Sequence, residues 1–143
     1  MHGGPYPLPD LGGSSILLVD HLREDRGIVA SMLDLTGAAV FEASLVAEAR
    51  TTILQRRPDA IITEMALPDA SGVDLVRWIR SYEQGQERFT VVIALTRAPE
   101  EYPVDMARAV GFDGYFTRPP TTDDLTVALA ALMSAHRARR PAA

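Results

Sequence analysis

Four short apolar runs of the sequence end in polar or charged side chains of the kinds that bind metal ions or phosphoryl groups. Carboxylates are ligands for Mg²⁺, and a hydroxyl beside a cation can contact a phosphoryl group. These residues are Asp20 and His21, Glu64, Thr96, and the pair Arg118 and Pro119. If the runs are parallel strands of one sheet, these side chains share one edge, because ligands bind beyond the carboxyl ends of such strands.

The apolar runs alternate with amphipathic segments, in which residues such as Val29 and Leu33 recur at helical spacing. We predict strands over residues 15–20, 38–43, 59–64, 89–96 and 113–117. We predict helices over residues 23–36, 45–57 and 72–84, from Pro103 to Val110, and from Thr121 to about Arg139. The expected fold is an α/β, doubly wound, five-stranded parallel sheet with five helices, which is the flavodoxin-like arrangement.

Length and composition limit the class of protein. The 143 residues, 47% of them hydrophobic, are enough for one domain with one core. The chain has no cysteine, which excludes disulfides and fits a cytoplasmic location. We expect residues 1–13 to form a flexible leader, residues 14–137 to form the domain, and residues 138–143 to be a tail or the start of a linker.

The spacing of the whole set resembles the receiver domain of two-component response regulators, over roughly residues 14–137. The motifs that carry the resemblance are LLVD ending at Asp20, Pro68 and Gly72 after Glu64, IALT ending at Thr96, and RPP beginning at Arg118. In that family an aspartate ending the third strand is phosphorylated, and two acids after the first strand hold Mg²⁺. A hydroxyl after the fourth strand and a lysine after the fifth contact the phosphoryl group.

The resemblance assigns roles to individual positions. Asp20 matches the first acid, Thr96 the switch hydroxyl, Tyr115 the switch aromatic, and Pro119 the proline that follows a cis peptide bond. Three other positions depart from the family: His21 replaces the second acid, Glu64 replaces the phosphoacceptor aspartate, and Arg118 replaces the lysine.

These departures affect the chemistry of the site. Imidazole is a poor substitute for a carboxylate ligand of Mg²⁺, so we expect no resident cofactor, with Asp20 and Glu64 as weak candidates for binding Mg²⁺. The extra methylene of Glu64 displaces the nucleophile in a reaction where a shift of about 1 Å can cost roughly 10²-fold in rate. We therefore expect little or no phosphorylation at Glu64.

The resulting hypothesis is a degenerate receiver, or pseudo-receiver, that is not an enzyme and acts by protein–protein interaction. Glu64 would then supply part of the charge of a phosphoaspartate toward Thr96 and Arg118, whose guanidinium can hold a carboxylate through two hydrogen bonds. A neutral replacement at Glu64 remains open. A phosphorylation-competent, Mg²⁺-dependent receiver is the alternative function, and a small ligand- or metal-binding flavodoxin-like protein is disfavoured because no strand precedes a glycine-rich phosphate loop.

The resemblance also implies a protein partner in phosphorelay signalling: a histidine kinase, an output domain or another signalling protein. Receivers commonly dimerise or dock through the face made by the fourth helix, fifth strand and fifth helix, so a homodimer through that face is a further expectation. We expect no nucleic-acid partner, because the net charge is −5. We expect no membrane partner, because no apolar run approaches the roughly 20 residues of a membrane span.

Overall fold

Strands and helices alternate strictly along the chain in a computed structural model that describes residues 7–86 and 89–139, without the side chains of 138 and 139. The strands are β1 Ser15–Val19, β2 Ala39–Ala43, β3 Ala60–Thr63, β4 Val91–Thr96 and β5 Gly114–Thr117. The helices are α1 Arg23–Asp34, α2 Val46–Arg56, α3 Gly72–Glu83, α4 Val104–Val110 and α5 Thr122–Arg139. The predicted order of elements is confirmed.

The strands form one parallel sheet in the order β2-β1-β3-β4-β5. Every residue of β3 and β4 is buried, as expected of strands that helices cover on both faces. The connections run toward one edge from β1 to β2 and toward the other from β3 to β5, so the winding direction switches beside β1 and β3. The predicted doubly wound fold is therefore confirmed, and its ligand edge lies at the carboxyl ends of these central strands.

Two apolar layers hold the helices against the sheet. Ile16 and Leu18 of β1 point into the layer shared with α1 and α5, whereas Leu17 and Val19 point into the layer shared with α2, α3 and α4. This alternation follows from the two-residue period of a strand. Because β1 ends at Val19, the next residue, Asp20, lies at the carboxyl-end edge of the sheet.

The predicted leader extends too far toward the domain. Leu11 is buried in the same core layer as Leu33, and its backbone N–H donates to the carbonyl of Thr36 at 2.8 Å. An apolar anchor at this position attaches the segment before β1 to the end of α1, so the prediction of a flexible leader is wrong for Leu11. Residues 1–6 of that leader, and residues 140–143 of the predicted tail, lie outside the described residues.

The loop between β3 and α3 places the start of α3 directly against the strand end. Ser71 caps α3 in a reciprocal pair with Asp74, which was not predicted. The backbone N–H of Gly72 donates to the carbonyl of Met65 at 2.8 Å, and a Cβ atom at Gly72 would lie 2.7 Å from the carbonyl oxygen of Glu64. Gly72 therefore allows a close approach that holds the backbone of Glu64 in place.

Two helix starts differ in detail from the prediction. Pro103 is the N-cap of α4, which begins at Val104, so Pro103 itself precedes the helix. Thr121 precedes α5, and its hydroxyl accepts a hydrogen bond from the backbone N–H of Asp124 at 3.1 Å. None of the helices in the described part of the chain is long and apolar enough to cross a lipid bilayer.

Candidate functional site

The site is built from the residues that immediately follow four of the strands. Asp20 follows β1, Glu64 follows β3, Arg97 follows β4 and Arg118 follows β5. Asp20 and Glu64 are buried, with 0% and 2% of their surfaces exposed, respectively. Buried carboxylates require compensating charges and hydrogen bonds, and the two arginines provide both.

Both carboxylate oxygens of Glu64 accept hydrogen bonds. Oε1 accepts from the backbone N–H of Met65 at 3.0 Å. Oε2 accepts from Nη1 of Arg97 at 2.8 Å and from Nε of Arg118 at 3.1 Å. The predicted contact between Glu64 and Arg118 is thus confirmed.

Asp20 binds the same two arginines. Its Oδ1 accepts from the backbone N–H of Leu22 at 3.0 Å, and its Oδ2 lies 3.1 Å from Nη2 of Arg97 and accepts from Nη2 of Arg118. Arg118 therefore bridges Asp20 and Glu64 instead of holding Glu64 through two parallel hydrogen bonds. The two-bond arrangement that we predicted for Glu64 and Arg118 is wrong, because Asp20 competes for the second guanidinium nitrogen.

Arg97 was missed in the sequence. Its guanidinium contacts Asp20, Glu64 and also Asp25 in α1, where Nε donates to Oδ2 of Asp25 at 3.0 Å. Burial alone would lower the pKa of Arg97, but hydrogen bonds to Asp25 and Asp20 and the charges of Asp20 and Glu64 outweigh it and raise the pKa. The guanidinium is therefore charged and joins three elements of the fold.

Asp25 lies at the outer rim of this cluster. Its side chain is 40% exposed, in contrast to the buried Asp20 and Glu64. The hydrogen bond from Arg97 is the main cause that lowers the pKa of Asp25, and burial opposes it. Asp25 thus adds a third negative charge and connects α1 to the loop after β4.

The two predicted switch residues make contacts outside this charge cluster. Thr96 is buried, and its hydroxyl accepts a hydrogen bond from the backbone N–H of Ala98 at 3.0 Å. The hydroxyl of Tyr115 donates to the carbonyl of Tyr102 at 2.7 Å, and burial raises the pKa of Tyr115. Within the described residues, no hydrogen bond joins Glu64 to Thr96, so the predicted approach of the Glu64 charge to Thr96 is replaced by a contact with Arg97.

The remaining two predicted residues lie at the edges of the site. His21 is exposed, in the short connection between β1 and α1. The peptide bond between Arg118 and Pro119 is cis, as predicted. His21 is not among the groups that surround Asp20, so the position of the second acid contributes no buried ligand.

The residues present do not fit a magnesium site. Mg²⁺ requires several oxygen ligands in near-octahedral geometry, whereas oxygens of both Asp20 and Glu64 are bound by the guanidinium groups of Arg97 and Arg118. No cluster of three or more His, Asp or Glu residues within residues 7–86 and 89–139 is arranged to hold a metal ion. A divalent cation would have to displace positive charges that are already in contact with the carboxylates.

Comparison with known proteins identifies the family of this chain. The model of the response regulator receiver domain matches residues 16–130. The chain belongs to the response regulator receiver family. This match spans β1 to the middle of α5, so it includes all four strand ends that build the site.

Individual receivers are similar in sequence and in fold. The phosphate regulon transcriptional regulatory protein PhoB of Pseudomonas aeruginosa is 32% identical over 124 residues, which cover 85% of this chain and 52% of PhoB. The structure of the chemotaxis response regulator CheY4 of Vibrio cholerae has 27% identity and a TM-score of 0.69, covering 85% of this chain and 97% of that one. A CheY-like receiver domain protein from Methanospirillum hungatei matches with a TM-score of 0.78 at 19% identity, covering 87% of this chain and 97% of that one. This receiver spans about half the length of PhoB.

Proposed function

We propose that this receiver is a protein-binding module in two-component signalling whose conformation is set by Glu64 and two arginines, without phosphoryl transfer. The observation that carries the proposal is the state of the Glu64 carboxylate, which is buried and bonded at both oxygens to Met65, Arg97 and Arg118. A receiver of this kind is a non-enzymatic signalling module.

The hydrogen bonds of Glu64 oppose a role as nucleophile. An acceptor carboxylate must present an oxygen in line with the leaving group of the phosphoryl donor, and positional errors of about 1 Å cost roughly 10²-fold. Each Glu64 oxygen already accepts a hydrogen bond, and Oε2 accepts two from charged donors, which are the stronger kind. Phosphorylation would require Glu64 to leave Arg97 and Arg118 first.

The same contacts support partial mimicry of a phosphoaspartate. Glu64 brings one negative charge to the cation after β5, where a phosphoryl group would bring about −1.5 to −2. Arg118 ties that charge to β5, and Arg97 ties it to the loop after β4. Glu64 thus holds together the elements that an added phosphoryl group would otherwise draw together.

The charge balance of the site supports the expectation that any binding of Mg²⁺ is weak. Asp20 and Glu64 carry two negative charges, and Arg97 and Arg118 supply two positive charges within hydrogen-bonding distance, while the partly exposed Asp25 leaves one excess negative charge at the rim of the cluster. A pair of carboxylates that is already neutralised has little electrostatic attraction for a cation. We therefore propose that the receiver works without a resident metal.

The proposed partner is a protein, either a histidine kinase or an output domain. A groove of about 290 Å³ opens beside the cluster and is lined by apolar side chains of α1 and by Pro119 and Pro120, with Asp25 and Arg97 at its charged end. Ile28 in this groove is 58% exposed and adds a large apolar side chain to the surface that a partner would cover. The alternative partner is a second copy of this chain, bound through the face of α4, β5 and α5.

The test is an amide NMR titration of the purified chain with Mg²⁺, followed by acetyl phosphate or beryllofluoride, with intact mass recorded in parallel. We expect no phosphoryl mass increment and no clustered shifts at Asp20, Glu64, Thr96 and Arg118. A receiver that has an aspartate acceptor and a complete acid set, treated in the same buffer, is the positive control. A mass increment at Glu64 together with such shifts would disprove the proposal.

A phosphorylation-competent receiver is the second candidate. The buried Thr96, the half-buried Tyr115 and the cis bond before Pro119 favour it, because these features match the working family. The same titration decides between the candidates. Phosphorylation by small donors would assign this receiver to the second one.

A further inference from the structure

We propose that Arg97 is a built-in cation that replaces a divalent metal ion in this site and determines that the site excludes one. The inference deepens the proposed function and rests on it, since a site that works without phosphoryl transfer has no need for an exchangeable metal. It concerns a residue whose role the family resemblance does not assign. Arg97 is therefore the specificity-determining residue for cation binding.

Arg97 binds three carboxylates that come from separate elements of the fold. Nη1 donates to Glu64, Nη2 lies 3.1 Å from Oδ2 of Asp20, and Nε donates to Asp25. These three carboxylates come from the ends of β1 and β3 and from α1. Gathering oxygen atoms from separate elements around one positive centre is the structural work that a bound divalent cation performs.

The positive charge of Arg97 is permanent. A guanidinium is not deprotonated in proteins, and it cannot dissociate from the chain as a metal ion can. Arg97 is only 28% exposed, which limits screening of its contacts by solvent and salt. Arg97 therefore keeps its positive charge beside these carboxylates at every metal concentration.

Arg118 differs from Arg97 in its contacts. It binds Asp20 and Glu64 from the β5 side, whereas it acts on Asp25 only through the attraction between their charges. Without Arg97, three carboxylates would face one arginine. Like charges at short range repel, and an excess of carboxylate oxygens is the ligand set that Mg²⁺ prefers.

The experiment measures thermal unfolding of the wild type, Arg97→Met and Arg97→Lys with and without about 10 mM MgCl₂. NaCl at matched ionic strength separates specific binding from screening. We expect the melting temperature of the wild type to be unchanged by Mg²⁺ and that of Arg97→Met to rise by about 4–6 °C, as for a Kd of about 1 mM. Arg97→Lys keeps one charge without the planar fork and should show a smaller rise.

Arg108→Met is the matched control, because Arg108 is an exposed arginine of α4 outside the cluster. Its melting temperature should not respond to Mg²⁺. If Arg97→Met is unfolded in the absence of metal, circular dichroism during addition of MgCl₂ measures refolding instead. Arg97→Lys then supplies the comparison in a folded variant.

Each result decides the inference. A response to Mg²⁺ in the Arg97 variants, and none in the wild type or in Arg108→Met, supports it. If neither wild type nor variants respond, the inference is overturned while the proposed function stands. If the wild type itself responds, the inference is overturned, and intact mass after acetyl phosphate shows separately whether the proposed function fails as well.

Discussion

Arg118 is the less exposed of the two cations in the site. Only 9% of its side chain is exposed, and it compensates both Asp20 and Glu64. Removing one member of a buried ion pair is strongly destabilising, because it leaves an uncompensated charge in a poorly solvated place. Arg97 remains near both acids in such a variant and limits the loss.

We expect Arg118→Ala to lower the free energy of unfolding by about 3 kcal/mol. Arg118→Lys should lose less, since an ammonium keeps the charge but cannot bridge two carboxylates as a planar guanidinium does. The measurement is urea unfolding followed by fluorescence of Trp78, the chain's one tryptophan, which stacks on Tyr82. Arg108→Ala is the control and should change stability by less than about 0.5 kcal/mol. If Arg118→Ala and Arg108→Ala lowered the free energy of unfolding equally, the buried ion pairs of Arg118 would not stabilise the protein more than an exposed arginine does.

The position of a residue relative to a strand explains which site residues could be predicted. Asp20, Glu64 and Arg118 were found because the carboxyl ends of parallel strands meet at one edge. Arg97 satisfies the same rule, as the first residue after β4, but the hydroxyl of Thr96 is the more obvious candidate at that strand end. Asp25 carries no such signal, because its approach to Arg97 depends on how α1 packs against the sheet.

At the level of the elements, the loop between β3 and α3 is fixed to α2 by a cap that comes from a distant part of the chain. The carboxylate of Asp69 accepts hydrogen bonds from the backbone N–H groups of Val46 at 2.9 Å and Ala47 at 3.0 Å, at the start of α2. A negative charge at a helix N-terminus is favourable. Sequence patterns detect a cap only when it is adjacent to its helix, so Asp69 was not predicted in this role.

The hydrogen bonds of Asp69 predict a pH-dependent contribution to stability. The N–H of Ala47 is the main cause that lowers the pKa of Asp69, burial opposes it, and the N–H of Val46 adds to the lowering. A carboxyl group with a lower pKa in the folded state stabilises above its unfolded pKa of about 4, and this stabilisation is lost as the pH falls through the folded pKa. We expect Asp69→Ala to reduce the free energy of unfolding by about 1 kcal/mol at pH 7, which is typical of a lost cap.

Urea unfolding at pH 7 and at about pH 3 checks this expectation. The difference between wild type and Asp69→Ala should narrow at the lower pH, because the stabilisation by Asp69 decreases below its unfolded pKa and is lost as the pH falls through its folded pKa. Asp34→Ala, which removes an exposed acid at the end of α1, is the control and should not destabilise at pH 7. A difference that stays constant with pH would mean that the charge of Asp69 does not stabilise α2.

At the level of the whole molecule, the fold was predictable and the surface was not. The buried strands and the amphipathic helices each carry a periodic signal, and the parallel sheet follows from their alternation. The anchoring of Leu11 was not predictable, because a single apolar residue in a Gly- and Pro-rich segment has no periodicity. The sequence also carries no pattern that identifies the partner surface, because the side chains there are constrained by the partner and not by packing within the chain.

We expect self-association through the face of α4, β5 and α5 to be weak, with a dissociation constant above about 100 µM. Stable interfaces bury roughly 1,600 Å² in total. In the described part of the chain, the large exposed apolar side chains of α4 and α5 are Val104 and Val127, which offer little apolar surface for an interface of that size. Sedimentation velocity at about 20 µM should therefore give a monomer. If a dimer appears, Val127→Glu should dissociate it only when this face is the interface, and Leu54→Glu on α2 is the matched control.

The charge cluster also has a consequence for the order of events in folding. Its hydrogen bonds join residues 33 to 98 positions apart, from Glu64 with Arg97 to Asp20 with Arg118. Contacts between such distant residues form only after long loops have closed, and both partners must already lie on an assembled sheet. We therefore expect the cluster to form late in folding, so that its bonds slow unfolding more than they speed folding. Once formed, the ion pairs between the glutamate and the arginines at the end of the sheet should extend the lifetime of the native state.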